Sequence, residues 1–92
     1  MAVFSITYVL QNSKDELSLK NGIDLLSFGV WIKPMPFQFV IKSNHTADQI
    51  LNILKNHTGA RDVLFVSKLD QPHWASINID AELMNNLKRL FF

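Results

Sequence analysis

The fold of this chain is decided by the stretch VFSITYVL, residues 3–10. The stretch is rich in β-branched and aromatic residues and contains neither glycine nor proline, which is typical of a β-strand. Alternation along a strand places on one face Phe4, Ile6, Tyr8 and Leu10. The opposite face then holds Val3, Ser5, Thr7 and Val9. We therefore predict that residues 3–10 form a central strand of a sheet.

Helical spacing of apolar residues follows this strand and predicts a helix over 14–28. Ser13 and Glu16 have the spacing of a capping box, in which each side chain accepts a hydrogen bond from the other residue's backbone N–H. Gly22 lies within the apolar stripe, where glycine costs about 1 kcal/mol relative to alanine, so we predict close packing against a strand there. Gly29 is predicted to end the helix.

Two short strands are predicted next, at 30–33 and 37–42, with Pro34 and Pro36 between them. Proline has no backbone N–H to donate, so this segment belongs to a turn or a sheet edge. We therefore predict a hairpin.

The rest of the chain repeats the pattern of helix and strand. Thr46 and Gln49 form a second capping box that opens a helix, and a fourth strand is predicted over 62–69. Asp80 is predicted to cap a last helix that continues to about residue 90.

The predicted order of elements is βαββαβ with an extra C-terminal helix. Right-handed crossovers give an antiparallel sheet in the order 4-1-3-2, with two helices on one face. We therefore predict one ferredoxin-like α+β domain over 1–92. The second face of the sheet has no helix of its own, so the last helix, a second subunit or a ligand must cover it.

The composition of the chain excludes several kinds of site and argues against some classes of protein. The chain of 92 residues has no cysteine, which removes disulfides, thiol nucleophiles and cysteine-ligated metals. Nine Lys and Arg residues against eight Asp and Glu residues give a net charge of +1, unlike a dedicated nucleic-acid binder. No apolar run approaches the roughly 20 residues that span a bilayer. We predict a cytoplasmic protein with no membrane partner.

The three histidines are the first candidates for acid–base chemistry, because their ordinary pKa lies near neutrality. None of His45, His57 and His73 has a carboxylate at ligand spacing, and we interpret them as solvated loop residues. The sequence also has no glycine-rich phosphate loop and no nucleophile elbow. No catalytic residue, metal ligand or cofactor is therefore predicted.

Five residues are predicted to contact nucleic acid or a protein partner. They are Lys33, Lys42, Lys68, Trp31 and Trp74. Lysines bind phosphates and aromatic rings stack on bases, and Phe37, Lys88 and Arg89 extend the set. Scattered surface charges and tryptophans that serve in packing are the alternative interpretation.

A dimer interface is predicted on the uncovered face of the sheet. Its residues are Ser5, Thr7, Val9, Gln38 and Val40. A chain this short leaves much of its surface exposed, and pairing with a second copy is one way to gain stability. We therefore predict a homodimer.

Short motifs along the chain are similar to those of a known group of proteins. They are FSITY at 4–8, GVW at 29–31, Pro34, FVIK at 39–42, ADQI at 47–50, DVLFV at 62–66, WA at 74–75 and NLK at 86–88. With them the chain resembles the small bacterial and phage proteins similar to the second CRISPR-associated protein and to virulence-associated protein D. The resemblance implies a ferredoxin-like homodimer. It implies metal-dependent ribonuclease or deoxyribonuclease activity in some members, toxin activity in others, and a scaffolding role on DNA in some.

One position departs from the pattern of the family that the chain resembles. In that family an aspartate commonly follows the tyrosine that ends the first strand, and a pair of them across the dimer holds a divalent ion. Here Tyr8 is followed by Val9, which has no oxygen with which to ligate a metal. The histidine and the aspartate–serine pair of close relatives fall on Lys33 and on Pro36-Phe37.

The leading hypothesis is a non-catalytic binding or scaffolding module, associated with nucleic acid, on a nuclease-like fold. One alternative is a metal-dependent nuclease or ribonucleolytic toxin with ligands at other positions. Another is a protein–protein interaction factor of a mobile element, such as an inhibitor or antitoxin. The fold alone does not decide among these hypotheses.

Overall fold

The computed structural model describes residues 2–12, 15–69 and 79–91. Its strands are β1 (Ala2–Val9), β2 (Trp31–Met35), β3 (Gln38–Ser43) and β4 (Val63–Leu69). Its helices are α1 (Asp15–Ser27), α2 (Ala47–Leu54) and α3 (Ala81–Arg89), and a 3-10 turn follows α2 at Lys55–His57. Every predicted element is present, with bounds that differ by a few residues.

The four strands form one antiparallel sheet in the order β2-β3-β1-β4. This is the predicted order 4-1-3-2 counted from the other edge, and the ferredoxin-like α+β prediction is confirmed. The strand β1 lies between β3 and β4, so Phe4 is opposite Ile41 on one side and Lys68 on the other. The stretch that begins the chain is therefore central in the sheet.

The main core lies between the sheet and the helices α1 and α2. The predicted inward residues of β1, which are Phe4, Ile6 and Tyr8, are all buried in it. The helices and β3 add Leu19, Ile23, Leu26, Phe39, Ile41, Ile50 and Leu54. Burial of one such side chain contributes roughly 1.5 to 3 kcal/mol, so this core holds α1 and α2 against the sheet.

A second, smaller core lies on the opposite face of the sheet, beneath α3. Val3, Ile32 and Val40 from three strands pack there against Leu87 and Leu90. Of the three predicted covers for this face, the last helix is the one that the structure contains. It covers only the end of the face where β1 begins.

Gly22 lies where α1 approaches α2 and the 3-10 turn. A Cβ added to Gly22 would lie 2.9 Å from Leu54 Cδ2 and 2.9 Å from His57 Cδ2. Close packing is therefore confirmed, but the predicted partner, a strand, is wrong. The two helices lie side by side on the same face of the sheet, and Gly22 faces the contact between them.

The end of α1 lies one residue earlier than predicted. The N–H of Gly29 donates to the carbonyl of Asp24 at 3.0 Å, which is the longer bond of a Schellman motif. Phe28 therefore occupies the left-handed position that usually holds glycine, with φ of 55°.

Two of the three predicted helix caps lie within the described residues, and both are confirmed. Thr46 and Gln49 exchange the two hydrogen bonds of a capping box, at 2.9 Å and 3.2 Å. Asp80 accepts from the backbone N–H of Glu82 at 2.7 Å. The box predicted at Ser13 lies outside the described residues. No helix in the described part of the chain has the length and apolar character to cross a membrane.

Candidate functional site

The half of the second sheet face that α3 does not cover carries a row of side chains from all four strands. In this row Met35 pairs with Gln38, Gln38 with Thr7, and Thr7 with Phe65. The next pair is Val9 with Val63. We call these six residues, namely Met35, Gln38, Thr7, Phe65, Val9 and Val63, the open sheet surface.

The open sheet surface is uncharged and mostly apolar, with Thr7 and Gln38 as its polar members. Phe65 is 65% exposed and Val9 is 53% exposed, and Val63 and Met35 are exposed to a similar extent. None of the six side chains is ionisable. The Nε2 of Gln38 donates to the hydroxyl of Ser5 at 2.8 Å, which satisfies part of the amide within the chain. An exposed and mostly apolar surface of this kind is a candidate site of interaction with another molecule.

The structure divides the residues that were predicted to form the dimer interface. Thr7 and Val9 are exposed, and Gln38 is half-buried beside them. Ser5 is buried, and Val40 is 2% exposed because it packs beneath α3. Three further members of the surface, Met35, Val63 and Phe65, were not predicted from the sequence. The alternation of β4 was the signal for two of these, since Val63 and Phe65 alternate with inward residues.

A cavity of about 420 Å³ lies at the other end of the second face, beside the start of β1. Lys42 on β3 is opposite Val3, and Lys68 on β4 is opposite Phe4, so the two lysines flank β1 with their side chains on opposite faces of the sheet. The rest of the lining is apolar and consists of Ala2, Val3, Leu69, Leu90 and Phe91. We call this the cationic cavity. Lys88 and Arg89, in the last turn of α3, immediately precede two of its lining residues.

Lys33 and Trp31 lie away from this cavity, on the face of the sheet that α1 and α2 cover. Lys33 Nζ is 2.7 Å from Glu16 Oε1, and this hydrogen bond lowers the pKa of Glu16 and raises that of Lys33. Trp31 Nε1 donates to Asp24 Oδ1 at 2.6 Å, and its ring meets Phe39 edge-on. Among the five predicted contact residues, Lys42 and Lys68 line one cavity, with side chains on opposite faces of the sheet. Trp74 lies outside the described residues.

Tyr8 and Val9 occupy the position where the resemblance implies a metal ligand. The hydroxyl of Tyr8 donates to the carbonyl of Pro36 at 3.0 Å, and burial raises the pKa of this phenol. Val9 belongs to the open sheet surface, whose other members carry no carboxylate or imidazole. Within residues 2–12, 15–69 and 79–91, no group of three or more potential ligands is placed to hold a metal ion.

Two carboxylates, those of Asp15 and Asp62, lie together where β1 ends and β4 begins. Asp62 accepts from the N–H groups of Gln11 and Gly59, each at 2.7 Å, and these bonds lower its pKa. A hydrogen bond with Asp62 raises the pKa of Asp15. Asp62 therefore ties Gln11, which follows β1, to the loop before β4, and Asp15 at the start of α1 lies beside it. No local pattern predicts the proximity of the two carboxylates, because the two residues are far apart in sequence.

The predicted loop histidines occupy different environments. His45 is exposed, and its Nδ1 lies 3.1 Å from the hydroxyl of Ser43. His57 is half-buried in the 3-10 turn against Gly22, so the prediction of a solvated residue is wrong there. His73 lies outside the described residues.

Comparison of the chain with protein-family models, with curated proteins and with solved structures finds no match. The resemblance to proteins similar to the second CRISPR-associated protein and to virulence-associated protein D therefore stays a prediction from short motifs.

Proposed function

We propose that this chain is a non-catalytic binding or scaffolding module that works as a homodimer joined through the open sheet surface. The observation that carries the proposal is the exposed row of Val9, Val63, Phe65 and Met35 on a face whose other half is already covered by α3. Burial of such a row against a partner lowers the free energy of the complex, because it removes apolar side chains from water.

The lack of charge on the surface supports a second copy as the partner. In a twofold dimer the same patch occurs on both sides, so each side chain meets others of its own set. A charged residue in the patch would face like charges or lose water without a partner. An uncharged surface avoids both costs, and a dimer buries the apolar side chains of this surface on both copies.

Phe65→Ser tests this proposal, because Phe65 is the most exposed aromatic residue of the surface. We expect light scattering after size exclusion to give the mass of two chains for the wild type. The variant is expected to give the mass of one chain at the same concentration, since it loses the largest apolar contact.

Leu25→Ser is the matched control, because Leu25 is exposed to a similar extent but lies on α1, behind the opposite face of the sheet. This variant is expected to remain dimeric. A monomeric wild type at micromolar concentration contradicts the proposal, and so does a Phe65→Ser variant that remains dimeric.

Association with nucleic acid is the second candidate function, and the observation that favours it is the cationic cavity. Lys42 and Lys68 both line this cavity, although their side chains lie on opposite faces of the sheet, and Lys88 and Arg89 lie at the adjoining end of α3. Clustered cations release counterions from a phosphate backbone, so binding is expected to weaken steeply as salt rises. A gel-shift titration from about 50 mM to 200 mM salt measures this. Absence of binding at the lower salt concentration removes this candidate.

A further inference from the structure

We propose that the outer face of α1 binds a second copy of this chain, in an antiparallel contact between the two α1 helices. The face consists of Leu17, Asn21 and Leu25 of α1 with Phe28, which follows it, and we call it the outer α1 stripe. The contact does not require the dimer proposed above, since α1 lies behind the opposite face of the sheet from the open sheet surface.

The outer α1 stripe is an exposed apolar row. Its members are four, four and three residues apart, and this spacing places them over one another on successive turns of a helix. Leu17, Leu25 and Phe28 are between 67% and 81% exposed, each more than Phe65 of the open sheet surface. Three large apolar side chains in one exposed row are a candidate site of interaction with another molecule.

The backbone of Phe28 is an independent reason to assign a partner to the stripe. Its φ of 55° is a conformation that a residue with a Cβ rarely adopts. Residues held in such conformations cluster at functional sites, where the strain is part of the function. Within its own chain the ring of Phe28 is largely exposed, so contact with another molecule accounts for a large side chain at this strained position.

The charges beside the stripe favour a second copy in an antiparallel orientation. Lys20 and Asp24 lie on the same flank of α1, because both contact Trp31. A twofold axis that places Leu17 opposite Phe28 of the second copy also brings Lys20 within one residue, about 1.5 Å along the helix, of the second copy's Asp24. The symmetry forms this pair of opposite charges twice, and a parallel arrangement would not form it.

The contacts that Lys20 and Asp24 make with Trp31 hold them in position for this pairing. Lys20 Nζ lies 5.3 Å from the centre of the Trp31 ring, and Asp24 Oδ1 accepts from Trp31 Nε1 at 2.6 Å. An ammonium group has three donors and a carboxylate accepts several hydrogen bonds, so both groups can also meet the second copy.

A lipid surface is the other occupant that an exposed apolar stripe suggests, and the charges of α1 argue against it. Helices that lie on membranes are rich in Lys and Arg on their polar face. The first turn of α1 instead carries Asp15 and Glu16, and its last turn has no basic residue.

The contact between two stripes is small, so we expect it to be weak. A stable dimer buries roughly 1,200 to 2,000 Å², which is more than one side of a short helix offers. We therefore expect a dissociation constant of about 100 µM. Where the open sheet surface also joins two copies, which rests on the function proposed above, the two contacts lie on opposite sides of each chain and link dimers into longer assemblies.

The test is sedimentation equilibrium of the Phe65→Ser chain, in which the open sheet contact is removed, from about 10 µM to about 1 mM. We expect the average mass to rise from one chain toward two. With Leu25→Ser added, the mass is expected to stay at one chain. With Val63→Ser added instead, the rise is expected to remain, because Val63 is an exposed apolar residue of the open sheet surface. Lys20→Glu is expected to weaken the association about tenfold, since like charges would then face each other.

Phe28→Gly in the same chain separates association from folding. It removes the ring and relieves the backbone strain, so we expect the association to be lost while the free energy of unfolding does not fall. A Phe65→Ser chain that stays monomeric at about 1 mM overturns the inference, and so does an association that Leu25→Ser or Phe28→Gly leaves unchanged. If Phe65→Ser is already dimeric at micromolar concentration, the proposed function fails instead. Adding Leu25→Ser then decides this inference, since a monomer supports it and a dimer overturns it.

Discussion

Phe28 shows how a single residue can be held in a conformation that its side chain disfavours. Its φ of 55° lies in the left-handed region, which costs a residue with a Cβ roughly 1 to 2 kcal/mol, and its ring is 81% exposed. The ring therefore buries little apolar surface that could offset the strain.

Phe28→Gly is expected to stabilise the protein by about 0.5 to 1 kcal/mol, since relief of strain exceeds the extra freedom of glycine in the unfolded chain. Urea denaturation measures the free energy of unfolding. Gly29→Ala is the control of opposite sign, because Gly29 also has a positive φ, of 81°, and alanine would be strained there. A destabilised Phe28→Gly variant would show that the exposed ring makes a stabilising contact.

The ion pair of Glu16 and Lys33 gives the protein a predictable response to acid. Lys33 holds the pKa of Glu16 below its ordinary value of 4.5, so the folded state favours the ionised carboxylate. The stabilisation is present above pH 4.5 and is lost as the pH falls through the folded-state pKa. Both side chains are partly exposed, so solvent screening limits the contribution to about 0.5 kcal/mol.

Glu16→Gln is expected to lower the melting temperature at neutral pH and to leave it unchanged in strong acid, where the wild-type carboxyl is also neutral. Thermal unfolding across a pH series measures the difference between the two proteins. A difference that stays constant from neutral to acidic pH would contradict the assigned role of Lys33.

At the scale of elements, the contact between α1 and α2 depends on Gly22. Alanine there would add a Cβ within 2.9 Å of two side chains, one of which, Leu54, is fully buried. We expect Gly22→Ala to destabilise the protein by about 1 kcal/mol in spite of alanine's higher helix propensity, since overpacking costs typically 1 to 3 kcal/mol.

Asn21→Ala is the matched control, because Asn21 is exposed on the same helix and gains only helix propensity. Chemical denaturation of both variants measures the two effects. If Gly22→Ala stabilises the protein as much as Asn21→Ala does, the role assigned to Gly22 in the close packing of α1 and α2 is wrong.

The elements were predictable because the signals that define them are local. Alternation fixed the inward face of β1, and the capping box at Thr46 fixed the start of α2, within a few residues of sequence. The partner of Gly22 was not predictable, since helix-to-helix contact depends on how α1 and α2 lie on the sheet. The proximity of Asp15 to Asp62 and the position of Lys42 and Lys68 on either side of β1 depend on the tertiary fold in the same way.

At the scale of the whole molecule, the second sheet face has two different ends. The cationic cavity lies by Val3 and the open sheet surface includes Val9, so the two sites are about 20 Å apart along β1. The helix α3 separates them, because it packs on the sheet near the cavity. Two copies joined through their open sheet surfaces would therefore keep their cationic cavities apart, and like charges would not oppose association.

The absence of cysteine from the sequence allows the proposed interface to be probed with one introduced thiol. Thr7 lies at the centre of the open sheet surface and is exposed, whereas Asn52 is exposed on α2 behind the other face. The measurement is the rate of thiol alkylation in Thr7→Cys and in Asn52→Cys as protein concentration rises. We expect alkylation of Thr7→Cys to slow about tenfold as the dimer forms, and alkylation of Asn52→Cys to stay constant. A Thr7→Cys rate that does not change with concentration, in protein that light scattering shows to be dimeric, would contradict the assignment of the open sheet surface as the interface.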